Sequence, residues 1–415
     1  MISLAYQKQW TPWNKVLLRF LILYFGMYIL FRFTGSLLFE SFLVWVGETV
    51  LQVDGRLEFF PTGSGDTTMA YVALFVQTAI AVLGTVIWTV LDRKRSSYNK
   101  LYYWFTVVLR IFLIFFLLSY GFAKIYKSQF PNPSLVRLLQ PIGDMSPMGL
   151  AWTYMGHSEG FNLFVGLFEA LGGILLIPRR TQLLGALVSM VVLFQIVLIN
   201  FFYDVPVKPF SLHLFLMAAF LFAADAKRFI RFFIRNKQVE SITYYHPVGN
   251  KTYHKSIFWF KIIAASLVLS LMSYQGYLGE RSPYGDKREK PPLYGIWEVE
   301  TFIKNGDTIP PLVTDDQRWR YLVIDWKDRA MVIYMTGKKD YVDFKVENDF
   351  SSVYLKNYNW KSEYDFRMIH DEDSLRLEGK LIGNDYIISV KEKDLKDFEL
   401  INRGFHWVNE YPYNR

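Results

Sequence analysis

The run 102–130, YYWFTVVLRIFLIFFLLSYGFAKIYKSQF, has the length and apolarity of a membrane-crossing helix. It nevertheless carries Arg110 near its middle and Tyr120, Gly121 and Lys124 near its far end. At about 100° per residue, Arg110, Gly121 and Lys124 fall within about 60° of one another on the helix wheel. Two cations and a glycine therefore share one stripe. Charge at such depth is costly in hydrocarbon, so the stripe must face a protein interior or a wet cavity and find partners there. This restricts the chain to folds that bring other helices against that face.

Six further stretches have a similar character, and roughly 17–25 apolar residues suffice to cross a hydrocarbon core of about 30 Å. The seven expected spans are about Val16–Phe33, Met69–Leu91, Leu101–Ala123, Gly160–Ile177, Leu183–Phe202, Pro209–Ala224 and Ile257–Leu278, the sixth being the shortest. Lys8 and Lys15 precede the first run, as in a signal peptide, but the FESFLVWVGE that follows has no small-residue cleavage site. An uncleaved anchor is expected, with Arg19 snorkelling back to the interface.

Basic residues gather in alternate connectors: 92–100, 178–180 and 226–255. This places the N-terminus in the cytoplasm and, after seven crossings, the C-terminal portion outside. The charge splits in the same way. Residues 1–279 have a net charge of +12 and residues 280–415 one of −4. The overall +8 thus belongs to loops flanking spans and argues against a nucleic-acid partner. With no cysteine, disulfides, thiol chemistry, iron–sulfur clusters and c-type haem attachment are excluded. The expected address is the inner (cytoplasmic) membrane of a bacterium, with the tail periplasmic.

Two connectors on the outer side are long, 34–68 and 125–159, and stand equally as covers of helix ends or as binding loops. Beyond the charged linker 279–292 the pattern changes from helical to alternating. Strands are expected at Tyr294–Ile303, Arg318–Asp325, Ala330–Thr336, Tyr341–Glu347, Ser351–Asn357, Tyr364–Ile369, Ser374–Leu381, Asp385–Lys391 and Phe398–Asn402. Eight or nine short sequential strands suggest an up-and-down sheet closing into a small barrel, with an open sandwich as the alternative. The expected fold is thus a polytopic helical membrane bundle followed by a small all-β, barrel-like domain.

Candidate site residues fall into two groups. Glu169 lies in GLFEALGG between Gly166 and Gly173, a face on which backbones can approach closely. Counting from the span ends puts Arg110 and Glu169 at equal depth on consecutive antiparallel helices. They are expected to form an ion pair, acting as a structural clasp or in proton- or substrate-linked chemistry. The second group gathers near the outer ends: Lys124, Asn200, Tyr203, Asp204, Lys208, Ser211 and His213, with Gln129, Asp144 and Asp66 from loops. An acid, a cation and an imidazole together allow a proton-handling or anion-binding pocket, or simple interfacial capping. Lys124 has no evident partner on its own helix and is the charge expected to be functional.

No metal site is expected, since only His157 and His213 among six histidines lie near the outer side. No catalytic motif is present in the tail. Gly295-Ile296-Trp297 opens the first strand with the G-x-W arrangement of a lipocalin-like barrel, and Arg403 is expected to stack on that tryptophan. The barrel lumen is equally compatible with a bound ligand or with self-filling. The terminal GFHWVNEYPYNR is expected to pack on the barrel or the membrane surface.

The run 110–225 resembles the DoxX family of small membrane proteins. The likeness rests on Leu109-Arg110, Tyr120-Gly121-Phe122-Ala123-Lys124, Gly166 through Gly173, Asn200 through Asp204, Lys208, Ser211 and Ala224-Asp225. It implies a four-helix unit over 101–225; the chain departs from that family pattern by two extra spans in 1–100, by a basic loop and seventh span in 226–278, and by the outer β-domain. The likeness also implies a redox-accessory role with a quinone or similar lipid-soluble ligand. The alternative is a scaffold whose outer β-domain at 293–415 binds a lipid, lipoprotein or protein partner in the envelope.

Overall fold

Hydroxyl side chains start several of the helices. Thr67, Ser134 and Ser146 each accept a hydrogen bond from a backbone N–H of the first turn, and Pro147 follows the last of them with its fixed φ. The helices are α1 (Pro12–Leu38), α2 (Glu40–Trp45), α3 (Thr68–Leu91), α4 (Asn99–Ile125), α5 (Leu135–Leu138), α6 (Pro147–His157), α7 (Glu159–Leu176), α8 (Gln182–Phe202), α9 (Lys208–Phe229), α10 (Lys251–Glu280) and α11 (Glu399–Asn402). The computed structural model describes residues 10–54, 57, 63–239, 250–347, 350–357 and 363–414. The chain divides into two units, Met1–Gln129 with Gly160–Leu278, and Phe130–Glu159 with Gly279–Arg415.

Within the first unit, six helices among the described residues are long and apolar enough to cross a membrane, and a bent pair raises this to seven. The bent pair is α9, where Lys208–Ala223 and the segment after Ala226 meet at 63°. The sixth expected span is therefore the least regular. Aromatic and aliphatic side chains of α1, α4, α8 and α9, among them Leu18, Leu109, Leu113, Leu193 and Met217, fill the main core. A smaller cluster joins Leu43 and Val46 to Met69, Val72 and Val76 of α3. The α10 helix packs along one edge, Met272 with Leu118 and Ala170, and keeps Phe258, Phe260, Ile263 and Leu267 exposed. The basic connector 226–255 is described as far as residue 239 and again from 250.

In the second unit, consecutive antiparallel strands run β1 (Gly295–Lys304), β2 (Asp307–Thr308), β3 (Trp319–Trp326), β4 (Arg329–Tyr334), β5 (Lys339–Val346), β6 (Ser352–Lys356), β7 (Glu363–Asp371), β8 (Ser374–Leu381) and β9 (Asn384–Glu392). Pairing of β1 with β9 closes eight of them into a barrel, and the two-residue β2 folds back on the end of β1. Asn305 and Gly306 both have positive φ, as a tight hairpin with matching twist requires.

The lumen is filled by its own side chains. Trp297, Phe302, Trp319, Phe344, Phe366 and Ile388 belong to one packed cluster that runs through all the barrel strands. Both β3 and β4 are buried on their outer faces as well. Ile296, Tyr321, Val323, Met331 and Ile333 pack there against Leu135, Val136, Leu138 and Leu139. The long connector 125–159 thus folds from Phe130 onward with the barrel.

Two expectations for the tail are corrected and a third is narrowed. The expected strand Phe398–Asn402 is instead the end of a short 3-10 turn and the helix α11, because β9 already completes the closure. Arg403 stacks on Tyr413, its guanidinium carbon 4.2 Å from the ring centre, while the Trp297 indole N–H donates to the Leu293 carbonyl. Of the two places expected for the terminal aromatics, the barrel is not taken, Trp407 being 90% exposed.

Candidate functional site

The glycine stripe sets the contact between α4 and α7. A Cβ at Gly121 would stand 2.9 Å from backbone atoms of Gly166 and Ala170, and one at Gly166 would stand 2.7 Å from the Gly121 carbonyl oxygen. Only small residues permit this approach. On the far side of α7, Gly172 meets Ser189, and Gly185 of α8 meets Leu175 and Leu176 in the same way.

At the α4–α7 crossing the expected Arg110–Glu169 pair is not formed. Glu169 instead accepts from Lys124, Nζ to Oε2 2.5 Å, with both side chains almost wholly buried. The reason is directional. Side chains lean toward the N-terminus of their own helix, so on antiparallel neighbours Lys124 reaches back along α4 and Glu169 back along α7, and they converge. The same lean carries Arg110 away from Glu169 to the end of α7. There its Nε donates to the Leu176 carbonyl at 2.9 Å, and its Nη2 to the carbonyls of Leu176 and Ile177 at 2.5 and 2.6 Å. These are carbonyls that a helix C-terminus leaves without partners, and a cation suits the dipole there. Lys124, without an evident partner on its own helix, is held by Glu169 of α7, with its Nζ also 5.7 Å from the Tyr120 ring centre.

The second group divides. His213, buried on α9, has its Nε2 2.9 Å from the Tyr24 hydroxyl and its Nδ1 2.6 Å from the Pro209 carbonyl oxygen. Its ring stacks on Tyr28 at 3.9 Å and 2°, and on Tyr24 at 5.5 Å and 14°. The Arg32 guanidinium lies over Phe210, 4.8 Å from its centre, and Phe210 in turn meets Tyr120. Tyr24, Tyr28 and Arg32 are spaced by one turn on α1. Beyond that one-turn spacing, nothing local in the apolar run of α1 marks these three residues as partners of α9.

Lys208 donates from its backbone N–H to Asp66 and from Nζ to Asp66 and Asp204, at 3.4 and 2.7 Å. With Gly65 donating to the Pro206 carbonyl, this ties the start of α3 to the start of α9. Ser211 donates to the Lys208 carbonyl, a local capping bond. Tyr203 and Asp204 are exposed, whereas Asn200 is buried and Gln129 half-buried, each with one enclosed amide atom that has no hydrogen-bond partner among the described residues. Asp144 and His157 belong to the second unit, where the Asp144 backbone carbonyl accepts from Gln140. Among the described residues no group of three or more His, Asp or Glu is arranged to hold a metal.

Arg19 reaches the connector between α3 and α4. It is buried, donating to the Tyr98 hydroxyl, the Thr89 hydroxyl and the Asp92 carbonyl, and the Tyr98 hydroxyl donates to the Asp92 carboxylate at 2.6 Å. That hydrogen bond holds the Asp92 carboxyl below its ordinary range.

The second unit offers a groove of about 1120 Å³ on the outside of the barrel, between the 134–140 segment and the outer faces of β3, β4 and β5. Tyr284, Trp326 and Tyr341 give it aromatic walls, and Arg137, Arg329 and Asp343 charged ones. At its edge the Arg288 guanidinium pairs with Asp325 and lies over the Trp326 ring, 4.7 Å from the centre. Burial nonetheless pushes the Asp325 carboxyl up, against the pull of Arg288. The uninterrupted apolar runs YLVI and AMVIY were the signal for a face covered on both sides, since a half-solvated strand alternates.

No family model matches the chain, and no solved structure does. A protein of Bacillus subtilis (strain 168) described as "Uncharacterized protein YwoB" is 33% identical over 141 residues, which make up 32% of this chain and 83% of that protein.

Proposed function

We propose that this chain, which belongs to the same family as the uncharacterized protein YwoB, is a multi-pass membrane protein that anchors an outward-facing binding domain. The helical unit serves as the anchor, and the charge in its α4–α7 crossing is consumed internally by the Lys124–Glu169 pair. The β-barrel unit is the working part, and it binds a protein or lipoprotein partner of the envelope. One observation carries this reading: the barrel lumen is filled, while its outer wall keeps an aromatic-lined, two-signed groove. Aromatic residues and arginine in a concave patch are the composition of a binding hot spot. The basic connectors argue for a cytoplasmic N-terminus and an extracytoplasmic barrel in the inner membrane.

A photo-crosslinking residue at position 341, inside the groove, is expected to trap one discrete partner in cells. The same residue at position 376, on β8, is expected not to. Equal trapping at both positions, or none at 341, contradicts the reading.

The stacked Tyr24–His213–Tyr28 arrangement favours a second reading, the DoxX-like one, in which the bundle is a redox accessory for a quinone-like ligand. A quinone co-purifying with the wild type in mild detergent, and lost with Tyr24→Phe, supports it. Repeated absence of any quinone removes it.

A further inference from the structure

The segment that follows the barrel, 403–413, holds aromatic rings in the open by bonds of its own. Gly404 turns the chain with a φ of +41°, in the region that favours glycine. Arg403 then closes the segment on itself. Its Nη2 donates to the Asn409 side-chain oxygen at 2.5 Å, its guanidinium lies over the Tyr413 ring, and the Asn409 amide donates to the His406 carbonyl at 3.2 Å. Phe405 and Trp407 meet edge to face at 5.0 Å. With Val408 and Tyr411 they make four side chains that are between 72% and 90% exposed. Large apolar groups gathered in this way on a locally ordered segment mark a face that something covers.

Ring type and charge narrow what that is. Among residues 404–414 only Glu410 belongs to the Lys, Arg, Asp and Glu set, so charge does not attract the occupant. Trp and Tyr, each with an apolar body and a polar edge, concentrate at the level where hydrocarbon meets water. The place of the segment on the barrel points the same way. Just ahead of it, Leu395 and Phe398 pack on the outer wall in the cluster that also holds Leu135 and Tyr294. Leu135 follows the chain arriving from α4, and Tyr294 ends the linker arriving from α10. The segment thus leaves the barrel from the wall by which the chain enters it.

We propose that 403–413 is an interfacial finger. Phe405, Trp407, Val408 and Tyr411 enter the outer leaflet of the membrane that the helical unit spans, and they fix the barrel to its surface. The inference rests on the membrane reading of the helical unit with the barrel outside, and it is independent of the groove and its partner. Interfacial elements of this kind sit about 5–10 Å into the boundary between headgroups and acyl chains. With so little charge, the finger needs no acidic lipid.

The test uses the full chain with a single nitroxide label on His406→Cys, which leaves the four apolar side chains in place. The labelled chain is reconstituted at low density in vesicles of phosphatidylcholine. Collisions are then measured with oxygen, which concentrates in lipid, and with a water-soluble nickel chelate. The label at 406 is expected to meet oxygen and to be shielded from nickel, and a label on Lys338→Cys to show the reverse. Adding Phe405→Ser and Trp407→Ser is expected to open position 406 to nickel, the inserted population falling by about tenfold for each ring withdrawn from the apolar phase. Both rings are exposed, so thermal unfolding of the barrel is expected to be unchanged by these two substitutions. A chain that does not float with the vesicles contradicts the membrane reading itself. Given flotation, a label at 406 as open to nickel as one at 338 overturns the proposal. Shielding from both reagents also overturns it, since this marks cover by protein, a second copy where the shielding grows with packing density. Shielding that appears only when phosphatidylglycerol is added overturns it as well, since charge would then be the attraction.

Discussion

Lys124 and Glu169 illustrate how one residue pair decides between two structures of the same stripe. A buried ion pair adds little over apolar packing, but removing one member leaves an uncompensated charge in the bundle. Lys124→Met or Glu169→Leu alone is therefore expected to destabilise the helical unit by about 3 kcal/mol or more. The double variant is expected to recover most of that loss. Thermal unfolding in detergent of the two single variants and the double one is the check, and additive losses would contradict the pairing. In the second unit the Asp325 carboxyl is raised by burial. A carboxyl raised on folding favours the folded state most below its ordinary value, and loses that contribution as pH rises through the raised one. Stability of the unit is thus expected to fall over that interval in the wild type, and less steeply in Asp325→Asn, as followed by tryptophan fluorescence across pH.

At the scale of elements, the α4–α7 contact depends on the absence of side chains. Gly166→Leu places carbon where the Gly121 carbonyl and the Ile125 backbone nitrogen stand, 2.7 and 2.9 Å from the new Cβ. Overpacking of this kind is expected to cost about 1–3 kcal/mol and to expose the Lys124–Glu169 pair to solvent. Arg110→Met is expected to cost about 2 kcal/mol through the Leu176 and Ile177 carbonyls, with faster amide exchange confined to the end of α7. The glycine face and the strand pattern were legible because they are periodic and local: β8 has the bounds the alternation sets, and seven other barrel strands lie within about two residues of theirs. The ion pair was not legible in the same way. Counting depth from apolar ends ignores the lean of helical side chains, and α4 begins at Asn99, two residues before its apolar run. The Tyr24–Tyr28–His213 stack joins residues nearly two hundred positions apart, and no local pattern announces it.

For the whole molecule, the segment 130–159 changes what the barrel is. Spacing marked 125–159 as a long connector, but its role as a cover for β3 and β4 depends on tertiary packing. Without Leu135, Val136, Leu138 and Leu139, the outer apolar face formed by Ile296, Val323, Met331 and Ile333 is bare. A fragment of residues 279–415 is therefore expected to fold with lower stability, to bind a hydrophobic dye and to self-associate. The same fragment fused to 130–159 is expected to be monomeric, as sedimentation would show. Equal behaviour of the two fragments would contradict the packing.

The natural chain lacks cysteine, so single cysteines can report which side of a membrane each part occupies. Lys338→Cys lies on the barrel and Lys94→Cys in the basic connector between α3 and α4, both at exposed positions. A membrane-impermeant maleimide applied to cells with an opened outer barrier is expected to label Lys338→Cys at once, and Lys94→Cys only after the inner membrane is permeabilised. Labelling of Lys94→Cys first, or of both together in intact membranes, would contradict an anchored bundle with its binding domain outside.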